Sequence, residues 1–128
     1  MRVPILKQGG YLIASVQSAL TDRDLLDLRD DLAEKVGKFR SRGVIIDVTA
    51  LDVLDSFAVR MLRSLAQMIR LRGAETVIAG IQPEIAFAMV QLGLDLGEVA
   101  TALDLEEGLV LLERRARKGG SRADRSGS

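Results

Sequence analysis

One short run, Val44-Ile-Ile-Asp-Val48, constrains the fold of this chain more than any other feature. Its apolar residues are continuous rather than alternating, so neither face of a strand formed here can face water. Such a strand needs cover on both sides, as in a parallel sheet flanked by helices. Thr76-Val-Ile-Ala79 repeats the pattern. Between the two runs the period changes from strand to helix. Ala58, Met61, Leu62, Leu65 and Ile69 recur at helical steps, with Arg60, Arg63, Gln67 and Arg70 off that stripe. Gly73 supplies a helix stop.

The remaining segments extend the same alternation. Val3 to Lys7 and Tyr11 to Val16 are β-like and separated by Gly9-Gly10, which predicts a hairpin. Thr21-Asp-Arg-Asp24 has the spacing of a capping box. Leu25, Leu28, Leu32, Val36 and Phe39 then mark the inward face of a helix that fades near Arg40 to Gly43. Pro83 suits the first position of a third helix. Its inward residues are expected to be Ile85, Ala86, Met89, Val90 and Leu92, with Gly93 ending it. Val99 to Thr101 forms a last short strand, and Leu105 to Arg117 a last helix. The order predicts one α/β domain, with a mixed, mostly parallel sheet of four or five strands and four helices. Residues 3–113 are expected to pack, and residues 114–128 to form a disordered basic tail.

Composition narrows the chemistry. Of the 128 residues, 48% are hydrophobic but only 3% aromatic, so the core is aliphatic. Cys and His are absent. That removes disulfides, thiolate nucleophiles, His-based triads and the common zinc sites. No apolar run reaches the roughly 18 to 20 residues that span a bilayer, and the N-terminal apolar stretch is too short for a signal peptide. A cytoplasmic protein with no membrane partner is expected. Residues 113–128 carry six basic and two acidic side chains. A basic tail is compatible with nucleic acid, but the rest of the chain lacks aromatic–basic interleaving, and no nucleic-acid partner is expected.

Functional loops of parallel sheets lie beyond the strand C-terminal ends. Two segments qualify, Thr49 to Ser56 and Gly80 to Pro83, and they follow consecutive strands. The first carries Asp52 and Asp55 after Asp47, and places Ser56 where a helix begins. Three readings are open. The carboxylates could hold a hard cation, although no Gly-rich phosphate loop with Lys accompanies them. Ser56 could be a nucleophile, although no His or nearby Lys could serve as its base. Asp55 or Ser56 could simply cap the helix. Neither metal nor cofactor is expected, nor enzymatic activity.

Asp55-Ser56 opening a helix after a buried strand resembles the STAS domain of anti-sigma-factor antagonists, whose usual motif is Asp-Ser-Ser-Gly. Here Phe57 and Ala58 stand in place of the last two residues. Asp-Ser-Phe, Val3-Pro-Ile-Leu-Lys7, Gly80-Ile-Gln-Pro83 and Thr101-Ala-Leu-Asp-Leu-Glu-Glu-Gly-Leu109 together resemble the RsbS-type branch, the small scaffold of the bacterial stressosome. The resemblance implies Ser56 as phosphoacceptor and an RsbT-type switch kinase held by the unmodified scaffold and released on phosphorylation. It also implies RsbR-type sensor paralogues, a resetting serine phosphatase and self-association into a large complex. Asp52, Asp55, Phe57, Arg60, Arg63, Gln82 and Glu84 are the expected partner-contact residues. Pro83 to Gly93 lacks Ser and Thr, which fits a single switch. A free anti-sigma-factor antagonist and a small-ligand-binding α/β domain are the alternatives.

Overall fold

The computed structural model describes residues 3–126, with side chains through residue 117. The elements are β1 Ile5–Gln8, β2 Tyr11–Ser15, α1 Asp22–Phe39, β3 Gly43–Asp47, α2 Ser56–Leu71, β4 Glu75–Ala79, α3 Pro83–Gln91, β5 Ala100–Ala102 and α4 Leu105–Ser126. All five strands form one sheet in the order β1-β2-β3-β4-β5. β1 and β2 form the expected antiparallel hairpin, with Gln8 opposite Tyr11 across the Gly9-Gly10 turn. The other three pairings are parallel.

The central strands are buried on both faces, as their uninterrupted apolar runs require. Leu12, Ala14, Val44, Ile46 and Ile78 point to one side, against Leu28 and Leu32 of α1 and Leu62, Leu65 and Ile69 of α2. Tyr11, Ile13, Ile45 and Val77 point to the other, against Leu105, Leu109 and Leu112 of α4. Fully burying each such aliphatic side chain stabilises the fold by about 1.5–3 kcal/mol. Tyr11 also donates its hydroxyl to Glu113 Oε1 at 2.7 Å, pinning α4 to β2.

The capping box of α1 forms as its spacing dictates. The Asp24 N–H donates to Thr21 Oγ1 at 3.0 Å, and the Thr21 N–H donates to Asp24 Oδ2 at 3.1 Å. This last bond holds the Asp24 carboxyl below its ordinary value of 3.8. A depressed folded-state pKa adds stability above the unfolded value and loses it as pH falls through the folded value. The expected NMR titration midpoint of Asp24 therefore lies below 3.8. A midpoint at or above that value would show that the box is not formed in solution.

Two expectations are corrected. Phe39 does not close the inward stripe of α1; it is 38% exposed, with the Lys7 and Lys38 ammonium groups 5.7 and 5.4 Å from its ring centre. Of the residues expected inward on α3, only Ile85 and Met89 are buried. Ala86 is exposed, and Val90 and Leu92 are 79% and 71% exposed. Positions 85 and 89 share one face, and nothing among the described residues covers the adjacent one carrying 86 and 90, while Leu92 is the C-cap beyond the helix. The backbone of α4 continues to Ser126, past the expected helix end at Arg117, and the last two residues of the expected tail lie outside the described residues.

Candidate functional site

β3 ends at Asp47, and its carboxylate organises the following turn. Asp47 Oδ1 accepts from the Thr49 N–H at 3.0 Å and from the Thr49 hydroxyl at 2.6 Å. Leu51 is buried in the main core and Leu54 packs against it. These anchors leave Asp52 and Val53 outside, Val53 at 62% exposure.

The chain then enters α2. Asp55 has the extended backbone of an N-cap, and its Oδ1 accepts from the Ala58 N–H at 2.8 Å. Asp55, not Ser56, is therefore the cap. Ser56 occupies the first helical position, exposed, and its hydroxyl engages no partner among the described residues. Its position at the positive end of the α2 dipole suits an added anion. Removing the cap should be felt in stability: Asp55→Ala is expected to cost about 1 kcal/mol in urea unfolding. An unchanged midpoint would mean that the cap contributes nothing.

The second loop lies beside the first. β3 and β4 are adjacent and parallel, and Gln82 Nε2 donates to the Thr49 carbonyl at 2.9 Å. Gly80 makes this approach possible. Its φ is +83°, and a Cβ there would overlap the Thr49 side chain. Its N–H meanwhile donates to the Ala102 carbonyl at 3.0 Å. Thr49 and Gly80 thus form the seam between the two loops.

The expected contact residues divide into two groups. Asp52, Arg60 and Glu84 are exposed, Phe57 is half-buried, and Gln82 is half-buried and held by Thr49. Arg63 lies further along α2 and pairs with Asp95 at 3.4 Å, on the segment after α3. Thr49 and Val53 were missed. An Asp-x-Thr triplet at a strand end was the available signal for Thr49; an exposed valine cannot be told from a buried one by sequence. Among the described residues, no group of three or more carboxylates could hold a metal ion. Asp47 and Asp55 are instead turned onto their own backbone. No helix among the described residues is long and apolar enough to cross a membrane.

Residues 2–108 match the family model described as "STAS domain". The chain belongs to the STAS family. Its STAS domain is of the RsbS and RsbR type. It is similar to a serine-to-glutamate variant of RsbS from Moorella thermoacetica, with 34% identity, a TM-score of 0.77, and coverage of 90% of this chain and 97% of that one. A structure reported under the molecular architecture of the stressosome matches with 35% identity and a TM-score of 0.76, over 89% of this chain and 99% of that one. Among curated proteins, the RsbT co-antagonist protein RsbRA of Bacillus subtilis is 38% identical over 92 residues, covering 71% of this chain and 34% of that protein. The chain thus spans about a third of the length of that relative. The anti-sigma-factor antagonist SpoIIAA, at 12% identity and a TM-score of 0.70, shares the fold.

Proposed function

We propose that this chain is a non-enzymatic scaffold subunit of a stressosome-type partner-switching assembly. It holds an RsbT-type switch kinase while Ser56 is unmodified and releases it when Ser56 is phosphorylated. RsbR-type sensor paralogues share the assembly, and a serine phosphatase resets it. The observation that carries this reading is the division of labour at the start of α2. Asp55 supplies the cap, which leaves the exposed Ser56 hydroxyl free to accept a phosphoryl group without unmaking the helix. The likeness to RsbS over nearly the whole of that chain supports the same reading.

In this mechanism the switch is local. A phosphate adds about −1.5 to −2 charges at neutral pH. The α2 amides stabilise it, while a partner surface shaped to a neutral hydroxyl meets a hydrated anion flanked by Asp52 and Asp55. Eviction then needs no refolding of the scaffold.

The test is incubation with an RsbT-type switch kinase and ATP, followed by phosphopeptide mapping beside a Ser56→Ala control. Phosphate confined to Ser56, with loss of kinase binding, is the expected result. An unmodified Ser56 in the presence of active kinase would overturn the reading. Native particle size separates a scaffold from a free antagonist: a large assembly with RsbR-type paralogues is expected, and a small free protein under the same conditions would favour the antagonist.

A further inference from the structure

The far end of α2 carries a second feature that the Ser56 switch does not use. β4 begins at Glu75, at the opposite end of the parallel sheet from Ser56. The sixteen residues of α2 run back to it over about 24 Å. There a cavity of about 310 Å³ opens between α2, the start of β4 and the segment that joins α3 to β5. This is close to the lower bound for small-molecule sites, which suits a small ligand.

Its polar lining is charged in both senses. Arg63, Gln67 and Arg70 come from α2, Glu75 and Thr76 from β4, and Glu98 from the connecting segment. The two guanidiniums are occupied by exposed acids: Arg63 with Asp95 at 3.4 Å, and Arg70 with Glu98 at 2.8 Å. Pairs this exposed are weak and readily exchanged for a ligand's own charged groups. Thr76 is 95% buried by the same walls, and its Oγ1 makes no hydrogen bond in the protein. A buried hydroxyl without a partner is costly, and functional sites are where such a cost is tolerated.

We propose that this cavity binds a small zwitterion of the free α-amino-acid class. Two positive and two negative side chains line it. A bare anion would face Glu98 and Glu75, the latter in a half-exposed pair with Arg115 at 3.5 Å, and an apolar ligand would desolvate all four charges. A molecule carrying one carboxylate and one ammonium satisfies both signs at once. Arg63 and Arg70 receive the carboxylate, Glu75 and Glu98 the ammonium, and Gln67 and Thr76 hydrogen-bond between them. This site is independent of the role of Ser56.

The test is thermal denaturation and titration calorimetry of the full chain with each proteinogenic L-amino acid at millimolar concentration. Each is accompanied by its matching amine and matching acid, which lack one of the two charges. At least one amino acid is expected to raise the melting temperature progressively with concentration, as ligands of the native state do. Its one-charge relatives are expected not to. Arg70→Ala and Glu98→Gln, both at exposed positions, should each weaken binding at least about tenfold. Thr76→Val should weaken it likewise, while raising the melting temperature of the ligand-free protein by removing the unpartnered hydroxyl. The absence of any response to the amino acids would overturn the proposal. So would equal binding of a bare acid or amine, or undiminished affinity in Arg70→Ala.

Discussion

The Ser56→Glu variant is expected to bind an RsbT-type switch kinase at least about a hundredfold more weakly than the unmodified chain, with an unchanged melting temperature. Three properties of the site set these two expectations apart. First, Ser56 is exposed and its hydroxyl makes no bond among the described residues that a larger side chain would break. Second, the Asp55 cap is intact in the variant, because its acceptor is the Ala58 N–H rather than anything on Ser56. A carboxylate in the first turn is itself favourable by about 0.3–1 kcal/mol, which offsets repulsion from neighbouring aspartates. Third, the partner surface receives none of that compensation. Opposing a desolvated negative charge at an interface costs several kcal/mol, and about 2.8 kcal/mol is a factor of a hundred. The phosphoprotein, with about twice the charge, should be affected more strongly. Titration calorimetry against the kinase decides the matter. Equal affinity of the variant and the unmodified chain would end the electrostatic account of release, and a lowered melting temperature would show that the effect passes through the fold.

Gly80→Ala is the second large effect, and it acts on the fold and the site together. At φ +83° an alanine is in the left-handed region, at a cost of about 1–2 kcal/mol. Its Cβ would also lie 2.9 Å from Thr49 Cβ and 3.0 Å from Thr49 Cα. Contacts that close force backbone movement, at a further cost of about 1–3 kcal/mol. Neither residue can yield freely, because Gly80 is held by the Ala102 carbonyl and Thr49 by Asp47. The expected result is a fall of roughly 10 °C in melting temperature for a domain of this size. Weaker kinase binding should accompany it, as the Thr49–Gln82 seam shifts. Adding Thr49→Gly should recover part of the stability by removing the side-chain overlap, leaving the backbone cost. A fall of less than about 2 °C in Gly80→Ala would mean that the seam is loose in solution.

The features that could be read before folding are those governed by near neighbours in the chain. The capping box needs only Thr21 and Asp24 three residues apart. The Gly9-Gly10 turn brings Gln8 to Tyr11 by its own geometry. The placement of Ser56 at a helix start follows from a strand, a polar turn and a helical stripe in succession. Even the adjacency of the two candidate loops was legible, because consecutive parallel strands put their C-terminal ends side by side.

What could not be read depends on residues far apart in sequence. Arg63 belonged by period to a partner-facing group, yet its partner is Asp95, thirty-two residues away. Val90 is as apolar as any core residue, and the lack of an element among the described residues over that side of α3 leaves it in water, while Leu92 stands beyond the helix as its C-cap. The same limit applies to Phe39, which keeps the inward-facing spacing yet is 38% exposed as the last residue of α1.

The sequence by itself determined the alternation of strands and helices, the double-sided burial of β3 and β4, and a serine at the start of α2. Hydrophobic period and capping chemistry act over a few residues and need no knowledge of the whole. Only the tertiary structure decided that Asp55 rather than Ser56 is the cap, since both residue types serve and the choice rests on where the backbone turns. It also decided the contact between Thr49 and Gly80, and the cavity that gathers Arg70, Thr76 and Glu98. Those features arise where separate elements meet, and the distances across such a meeting are set by the packing of the sheet and its helices as a whole.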